Sequence, residues 1–106
     1  MKIILDHIAL VVNSVDQSIQ KLKQFNFAIG QINEFPSEGT KEVYIANQHE
    51  YGRLLLMEPI SAGPYQKALQ QRGAGLHHIA INVESIERYL EMTDRKFNRM
   101  RPSMAR

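Results

Sequence analysis

The sequence predicts a single α+β domain in which five strands and three helices alternate in the order β-α-β-β-β-α-β-α. A strand-like segment followed by a helical pattern occurs twice, starting at residues 5 and 76. Short alternating segments bounded by turn residues lie between the two copies. The 106 residues, 43% of them hydrophobic and 23% charged, have the composition of an ordinary globular protein.

The internal repeat is the clearest feature of the chain. When LDHIALVVNSV is set against LHHIAINVESI, six residue types recur at matching places. The recurring pairs are Leu5 and Leu76, His7 and His78, Ile8 and Ile79, Ala9 and Ala80, Val12 and Val83, and Ser14 and Ser85. Each copy is an apolar run typical of a buried strand, and it ends at a serine that can cap the following helix. The first of these helices is expected over residues 15–25.

The segment between the copies predicts three more strands and a linker helix. The strands are expected at about residues 28–35, 42–46 and 53–60, with turns at 36–40 and 47–52. Pro64 is suited to the start of a helix and Gly73 to its end. We therefore divide the chain into a complete first module (1–60), a linker helix (61–75), a partial second module (76–97) and a basic tail (98–106).

Composition excludes several classes of protein. No segment reaches the length of a transmembrane helix, and Asp6 and His7 interrupt the apolar N-terminal run that a secretory signal would require. The absence of cysteine excludes a disulfide framework and fits a cytoplasmic protein. The last twelve residues carry five basic groups and no acidic one, but no aromatic residue alternates with those charges. We expect neither a nucleic acid nor a membrane as partner.

Two histidines are the main candidates for chemistry. Because side chains alternate along a strand, His7 shares a face with Ala9, and the matching face of the second copy carries His78, Ala80 and Asn82. Repeats that pack about a pseudo-two-fold axis would place the two imidazoles opposite each other, with the small alanines leaving room for a ligand. Imidazole is a common ligand of zinc, nickel and cobalt, although a buried histidine is often only a hydrogen-bonded core residue.

The phrases LDHIALVV, LLLMEPI and ALQQRGAGLHHIAINV, in this order and spacing, resemble the vicinal-oxygen-chelate superfamily, which includes glyoxalases, bleomycin-resistance proteins and methylmalonyl-CoA epimerases. The resemblance covers residues 3–97 and implies a fold of paired βαβββ modules with an incomplete second module. In that family four inward side chains hold a divalent metal such as Zn, Ni, Co or Mn, which binds neighbouring substrate oxygens. On this pattern His7 and His78 match two metal ligands, whereas strand alternation turns His77 to the other face, where it is expected to pack or to form hydrogen bonds.

The chain departs from the family pattern at two places. Leu55 occupies the position of the third ligand, and leucine cannot bind a metal. Glu58 matches the next acidic position, but strand alternation turns it to the opposite face unless a bulge intervenes. The last three strands of the second module, with the fourth ligand, are absent from these 106 residues. A metal site would therefore be incomplete within one chain.

These features leave three functional hypotheses. The first is a metal-dependent isomerase, lyase or epimerase of the methylmalonyl-CoA epimerase or lactoylglutathione lyase type, acting on a small carbonyl compound or thioester. The second is a metal-free small-molecule-binding protein of the bleomycin-resistance kind, in which Ala9, Leu55, Ala80 and Asn82 line the pocket. The third is an inactive, shortened remnant. No catalytic residue is assigned, and Glu38, near where related epimerases place a base, is expected to be a surface carboxylate.

Assembly follows from the apolar face around His7. If the second module is partial, residues such as Ile3, Leu5, Ala9, Val11 and Leu55 would meet water, which is unfavourable for a contiguous apolar surface. We therefore expect a symmetric homodimer in which the second-copy strand pairs with, or lies beside, the partner's sheet.

Overall fold

The structure, a computed structural model, describes residues 1–45 and 52–97. In chain order its elements are β1 (Ile3–Val11), α1 (Val15–Lys23), β2 (Asn33–Phe35), β3 (Thr40–Ile45), β4 (Arg53–Pro59), α2 (Pro64–Arg72), β5 (Gly75–Val83) and α3 (Ile86–Phe97). The predicted α+β class and element order are confirmed. The basic tail predicted at residues 98–106 lies outside the described residues. No helix within the described ranges is long and apolar enough to cross a membrane.

Several element boundaries differ from the prediction: β3 begins at Thr40 rather than at residue 42, and two other differences lie near the end of α1. The helix ends at Lys23 because Asn26 adopts a left-handed conformation with φ of 63°. The strand predicted from residue 28 begins only at Asn33, preceded by one isolated bridge between Ile29 and Ile45. At Gly30 the chain passes so close to β3 that an added Cβ would lie 2.8 Å from the carbonyl oxygen of Tyr44.

The five described strands form one mixed sheet in the order β2-β3-β4-β1-β5. β1 and β4 are parallel, and the other neighbouring pairs are antiparallel. β5, the strand of the second copy, therefore pairs with β1 of its own chain. The strands of the two copies, β1 and β5, are thus neighbours in one sheet.

The sheet has two differently covered faces. α1 packs on the outer face, where Val15 and Ile19 join a core formed with Val43, Ile45 and Leu56. On the opposite side, which we call the inner face, Ala9, Leu55 and Met57 form a second core, against which Tyr44 and Tyr65 of α2 pack. The linker helix thus covers part of the inner face.

This cover corrects the expectation that the whole inner face is open to water. Ala9, Val11 and Leu55 are buried within the chain itself, because α2 lies against β1 and β4. Ile3 and Leu5, which lie farther from α2 along β1, remain 47% and 39% exposed. Apolar surface therefore remains exposed at the N-terminal end of β1.

Candidate functional site

The site is shaped by two β-bulges, one on each strand of the internal repeat. Along the β1–β5 ladder Leu5 pairs with Ile81 and His7 with Ala80, so Asp6 is an extra residue on β1. Farther along, Ala9 pairs with His78 and Leu10 with Leu76, so His77 is an extra residue on β5. A bulge interrupts strict alternation and lets two successive side chains lie near each other. Each bulged residue thereby contacts the histidine that follows it.

His7 is held by a carboxylate. Its ring is 3% exposed, and Nδ1 lies 2.6 Å from Oδ2 of Asp6. A carboxylate only accepts hydrogen bonds, so Nδ1 donates its proton and the lone pair is on Nε2. Nε2 of His7 is buried and has no hydrogen-bond partner among the described residues. The nitrogen that could bind a metal or accept a proton is therefore directed away from Asp6.

Asp6 also links three strands. Its Oδ1 accepts a hydrogen bond from the Asn82 amide at 3.1 Å, and its Oδ2 lies 3.5 Å from a guanidinium nitrogen of Arg53. Burial raises the pKa of the Asp6 carboxyl, but hydrogen bonds from His7 and Asn82 lower it. The positive charge of Arg53 lowers it further, so the pKa lies below its ordinary value of 3.8. Asp6 is therefore a charged acceptor that fixes the His7 ring.

His78 has a different neighbour at the same place in the repeat. Its ring is 6% exposed, and its Nδ1 lies 2.8 Å from Nδ1 of His77. His77 in turn packs against the Tyr65 ring at a centroid distance of 4.9 Å. The prediction that His77 points to the other face is wrong because the bulge turns it towards His78. Its expected packing and hydrogen-bonding role is confirmed.

The two candidate metal ligands lie close together. The ring centroids of His7 and His78 are 5.5 Å apart at an interplanar angle of 73°. They are not directly opposite: His7 pairs with Ala80, and His78 pairs with Ala9. The rings meet diagonally across the ladder, where the two small alanines leave space for them.

The other predicted site residues divide between the two faces. Leu55 is fully buried on the inner face beside Ala9, as expected for an apolar wall. Glu58 lies apart from the histidines: its Oε1 accepts a hydrogen bond of 2.8 Å from the backbone nitrogen of Val15, at the start of α1. The structure thus gives Glu58 a helix-capping role. Asn82 contacts the site indirectly, through Asp6. Glu38 is exposed in a turn, as expected.

One carboxylate on the inner face was missed by sequence reasoning. Glu42 pairs with Met57 in the β3–β4 register, which places it on the inner face, and it is 5% exposed. Its Oε2 accepts a hydrogen bond of 2.6 Å from the hydroxyl of fully buried Thr40. The signal in the sequence was the alternation of TKEVYI, in which Thr40, Glu42 and Tyr44 share one face.

A small cavity of about 220 Å³ opens beside the site. It lies between the end of α2 and the start of β5, and its lining includes Val11, Ala68, Arg72 and His77. Because His77 contacts His78, the cavity approaches the pair of imidazoles from the α2 side. Its volume is suited to a small chemical group rather than to a macromolecule.

The described residues do not complete a metal site. Within residues 1–45 and 52–97, no group of three or more histidine, cysteine, aspartate or glutamate residues is arranged to hold an ion. The buried Nε2 of His7 has the chemistry of a ligand, but Leu55 and Glu58 add no donor beside it. Among the described residues the two predicted ligands, His7 and His78, thus fall short of the three or four protein ligands that zinc usually takes.

A protein-family model for the glyoxalase/bleomycin resistance protein/dioxygenase superfamily matches residues 6–102 of the chain. Among solved structures, a hypothetical protein from Bacillus halodurans superposes with a TM-score of 0.75 at 30% sequence identity, over 92% of this chain and 70% of that one. No curated protein matches the chain.

Two epimerase structures are similar in fold. Methylmalonyl-CoA epimerase from Mycobacterium tuberculosis superposes with a TM-score of 0.70 at 20% identity, over 88% of this chain and 63% of that one. A variant of the Streptomyces coelicolor epimerase, in complex with 2-nitronate-propionyl-CoA, superposes with a TM-score of 0.70 at 21% identity, over 88% of this chain and 71% of that one. At these identities the likeness establishes the fold.

Proposed function

Because the chain belongs to the glyoxalase/bleomycin resistance protein/dioxygenase superfamily, we propose that its inner face binds a small carbonyl compound or thioester and moves a proton at the carbon beside that carbonyl. Proton transfer of this kind underlies both the epimerase and the lactoylglutathione lyase type of reaction. The similarity to methylmalonyl-CoA epimerases supports the first type.

The observation that carries the proposal is the His7 environment. A buried imidazole whose Nδ1 is fixed by a carboxylate, and whose Nε2 lacks a hydrogen-bond partner among the described residues, is costly to maintain for packing alone. Such an imidazole is suited to binding a metal or accepting a proton from a ligand. The ring centroid of His78 lies 5.5 Å from that of His7, so a second imidazole is present at the same place on the inner face.

Glu42 is the carboxylate that we propose for proton transfer. It is buried on the same face, and the Thr40 hydroxyl holds one of its oxygens. A carboxylate kept from bulk water and oriented by a hydrogen bond is a suitable general base. Glu38, by contrast, is exposed and lies in a turn.

A divalent ion, if the protein uses one, would be held by His7 and His78 together with ligands from a second subunit or from residues beyond those described. Bound there, it would polarise the substrate carbonyl as a Lewis acid. The other steps would be carried out by residues of the chain itself: Asp6 orients His7, α2 and Leu55 exclude water, and Glu42 moves the proton.

A metal-free binding protein is the second candidate, and Leu55 favours it. A fully buried leucine beside Ala9 presents an apolar wall where the family pattern has a ligand. An apolar wall with a few polar groups is typical of a small-molecule pocket. In that case the imidazoles would serve as hydrogen-bonding groups.

Two measurements separate these candidates. Metal analysis of purified protein, before and after dialysis against zinc, cobalt or nickel, should detect an ion that is lost in His7→Ala and His78→Ala but retained in Glu58→Gln, the matched control on the other face. Deuterium incorporation at the substrate carbon of methylmalonyl-CoA should then be lost in Glu42→Gln. Incorporation without any metal would support a metal-free enzyme, whereas neither metal nor incorporation would reject proton transfer and leave ligand binding.

We further propose that the chain forms a homodimer. Ile3 and Leu5 are substantially exposed, as are Leu76 and Ile79 on β5, which is an edge strand within the described part of the chain. Exposed apolar side chains next to an unpaired strand edge favour association. Light scattering at micromolar concentration is the test, with Leu5→Lys as the variant and Lys67→Glu on α2 as the control. A well-folded monomer would reject the proposal.

A further inference from the structure

Arg53 places a positive charge on the inner face beside His7. It is the first residue of β4 and pairs in register with His7 on the neighbouring parallel strand. Its guanidinium carbon lies 4.0 Å from the centroid of the Tyr44 ring, a cation–π arrangement that fixes the plane of the guanidinium. The edge of the same Tyr44 ring approaches His7 at a centroid distance of 5.8 Å. Arg53 therefore belongs to the site.

The hydrogen-bonding capacity of Arg53 is largely unused. A guanidinium has five N–H donors, but the contact with Asp6 Oδ2 is long, at 3.5 Å. That oxygen is already taken by His7 Nδ1 at 2.6 Å. Nε of Arg53 is buried and has no hydrogen-bond partner within the described ranges. The arginine is thus positioned by stacking, while its donors remain for another acceptor.

The exposure of the side chains indicates what that acceptor is. The Arg53 side chain is 23% exposed, whereas the His7 side chain is 4% exposed, so the guanidinium is the more accessible of the two groups to a ligand from solvent. A planar guanidinium matches the two oxygens of a carboxylate in a fork-to-fork arrangement.

We propose that Arg53 is an anion-binding residue of this site and that the natural ligand carries a carboxylate, which Arg53 holds next to His7. The assignment rests on the proposed function, in that it takes the inner face as the ligand-binding face, and it names the class of ligand. Through Arg53 the chain itself supplies positive charge at a place where its metal ligands are incomplete.

The test uses malonate as the probe and neutral malonamide as its uncharged match. Isothermal titration of the wild-type protein should detect malonate binding that is at least about tenfold tighter than malonamide binding, the difference expected for a charge-assisted hydrogen-bonded pair. Malonate should also shift the ¹H–¹⁵N signal of the Arg53 Nε–H group. Equal binding of the two probes, or no binding of malonate, would overturn the proposal without any variant.

The variants identify the residue. Arg53→Gln should weaken malonate binding about tenfold or more, and Arg53→Lys should recover only part of it, because lysine keeps the charge but loses the fork. Arg88→Gln, on the exposed side of α3, is the control and should bind as the wild type does. Unchanged affinity in folded Arg53→Gln would overturn the assignment. Failure of deuterium exchange with normal malonate binding would reject proton transfer alone.

Discussion

The two copies of the internal repeat build the same local structure with different chemistry. In β1 and in β5, a bulged residue precedes an inner-face histidine and lies within hydrogen-bonding distance of its Nδ1. The bulged residue is Asp6 in the first copy and His77 in the second. The β-bulge is thus repeated, but the partner of the histidine is a carboxylate in one copy and an imidazole in the other.

This difference separates the roles of the two rings. Asp6 can only accept, so the Nδ1–H tautomer of His7 is imposed and its Nε2 carries the lone pair. His77 can donate or accept, so either tautomer of His78 satisfies the contact at 2.8 Å. We infer that His7 is the fixed group of the site and that His78 is the adaptable one.

The largest expected effect comes from replacing Asp6, the bulged residue that contacts His7. Asp6→Asn replaces a charged group that can only accept by a neutral amide that can accept or donate, and it should reduce metal or ligand affinity by about 10- to 100-fold, the usual cost of losing the group that orients a histidine ligand. It should also redistribute the His7 tautomers, which the ring ¹⁵N chemical shifts report directly. Isothermal titration with zinc and with malonate provides the affinities.

The matched substitution in the second copy is His77→Asn. Since either tautomer of His78 satisfies the contact with His77, the affinity loss should be smaller than in Asp6→Asn, with His7 shifts unchanged. A larger loss in His77→Asn than in Asp6→Asn would invert the assignment of fixed and adaptable rings.

The second prediction concerns acid stability, because the bulged residue is a carboxylate in the first copy only. The pKa of Asp6 lies below 3.8 in the folded chain, so its stabilising effect is present above that value and is lost as the pH falls through the folded value. Urea unfolding between about pH 3 and about pH 5 should therefore lose stability less steeply in Asp6→Asn than in the wild type. Because the Asp6 side chain is 22% exposed, solvent screening limits the effect.

His77→Asn is the control for this series. It removes the matching bulged residue of the second copy but leaves Asp6 and its contacts in place, so it should retain the loss of stability that Asp6 causes. Parallel curves for wild type and Asp6→Asn would mean that Asp6 makes no net contribution through its charge.

Some features of the two copies could be predicted from the sequence, and others could not. Periodicity and serine caps correctly predicted the strand–helix order in both copies, because these depend on local preferences. Strict alternation placed His77 on the wrong side because a bulge depends on how two distant strands pair, which neither strand reveals alone. The same limit hid the contact of Asp6 with Arg53, because the two residues are 47 positions apart in the sequence and meet only when β1 pairs with β4.

The packing of α2 on the inner face was not predicted from the sequence, for a related reason. Proline and glycine signals located α2, but they carry no information about where the helix packs. Its contact through Tyr65 with the core around Leu55 is tertiary, and it buries side chains that were expected to face water. Glu42 was likewise visible in the alternation of β3, but its burial became evident only from the pairing with Met57.

The smallest expected effect lies in the two serine caps, which are equivalent in sequence but not in setting. Ser14 Oγ accepts from the Gln17 nitrogen at 3.1 Å, and Ser85 Oγ accepts from the Arg88 nitrogen at 3.2 Å. Loss of such a cap typically costs about 1 kcal/mol. α1 contributes to the outer core, so Ser14→Ala should lower the free energy of unfolding by about that amount.

Neither core cluster of the described residues includes a side chain from α3, so the second cap should be coupled only weakly to global unfolding. Ser85→Ala is therefore expected to cost a few tenths of a kcal/mol at most, roughly the size of a surface substitution, and to appear mainly as faster hydrogen exchange in the first turn of α3. Urea unfolding followed by circular dichroism measures the global effect, and exchange mass spectrometry measures the local one. If Ser85→Ala destabilised the chain as much as Ser14→Ala, α3 would have to be part of the cooperative core. The two copies would then be equivalent in energy as well as in structure.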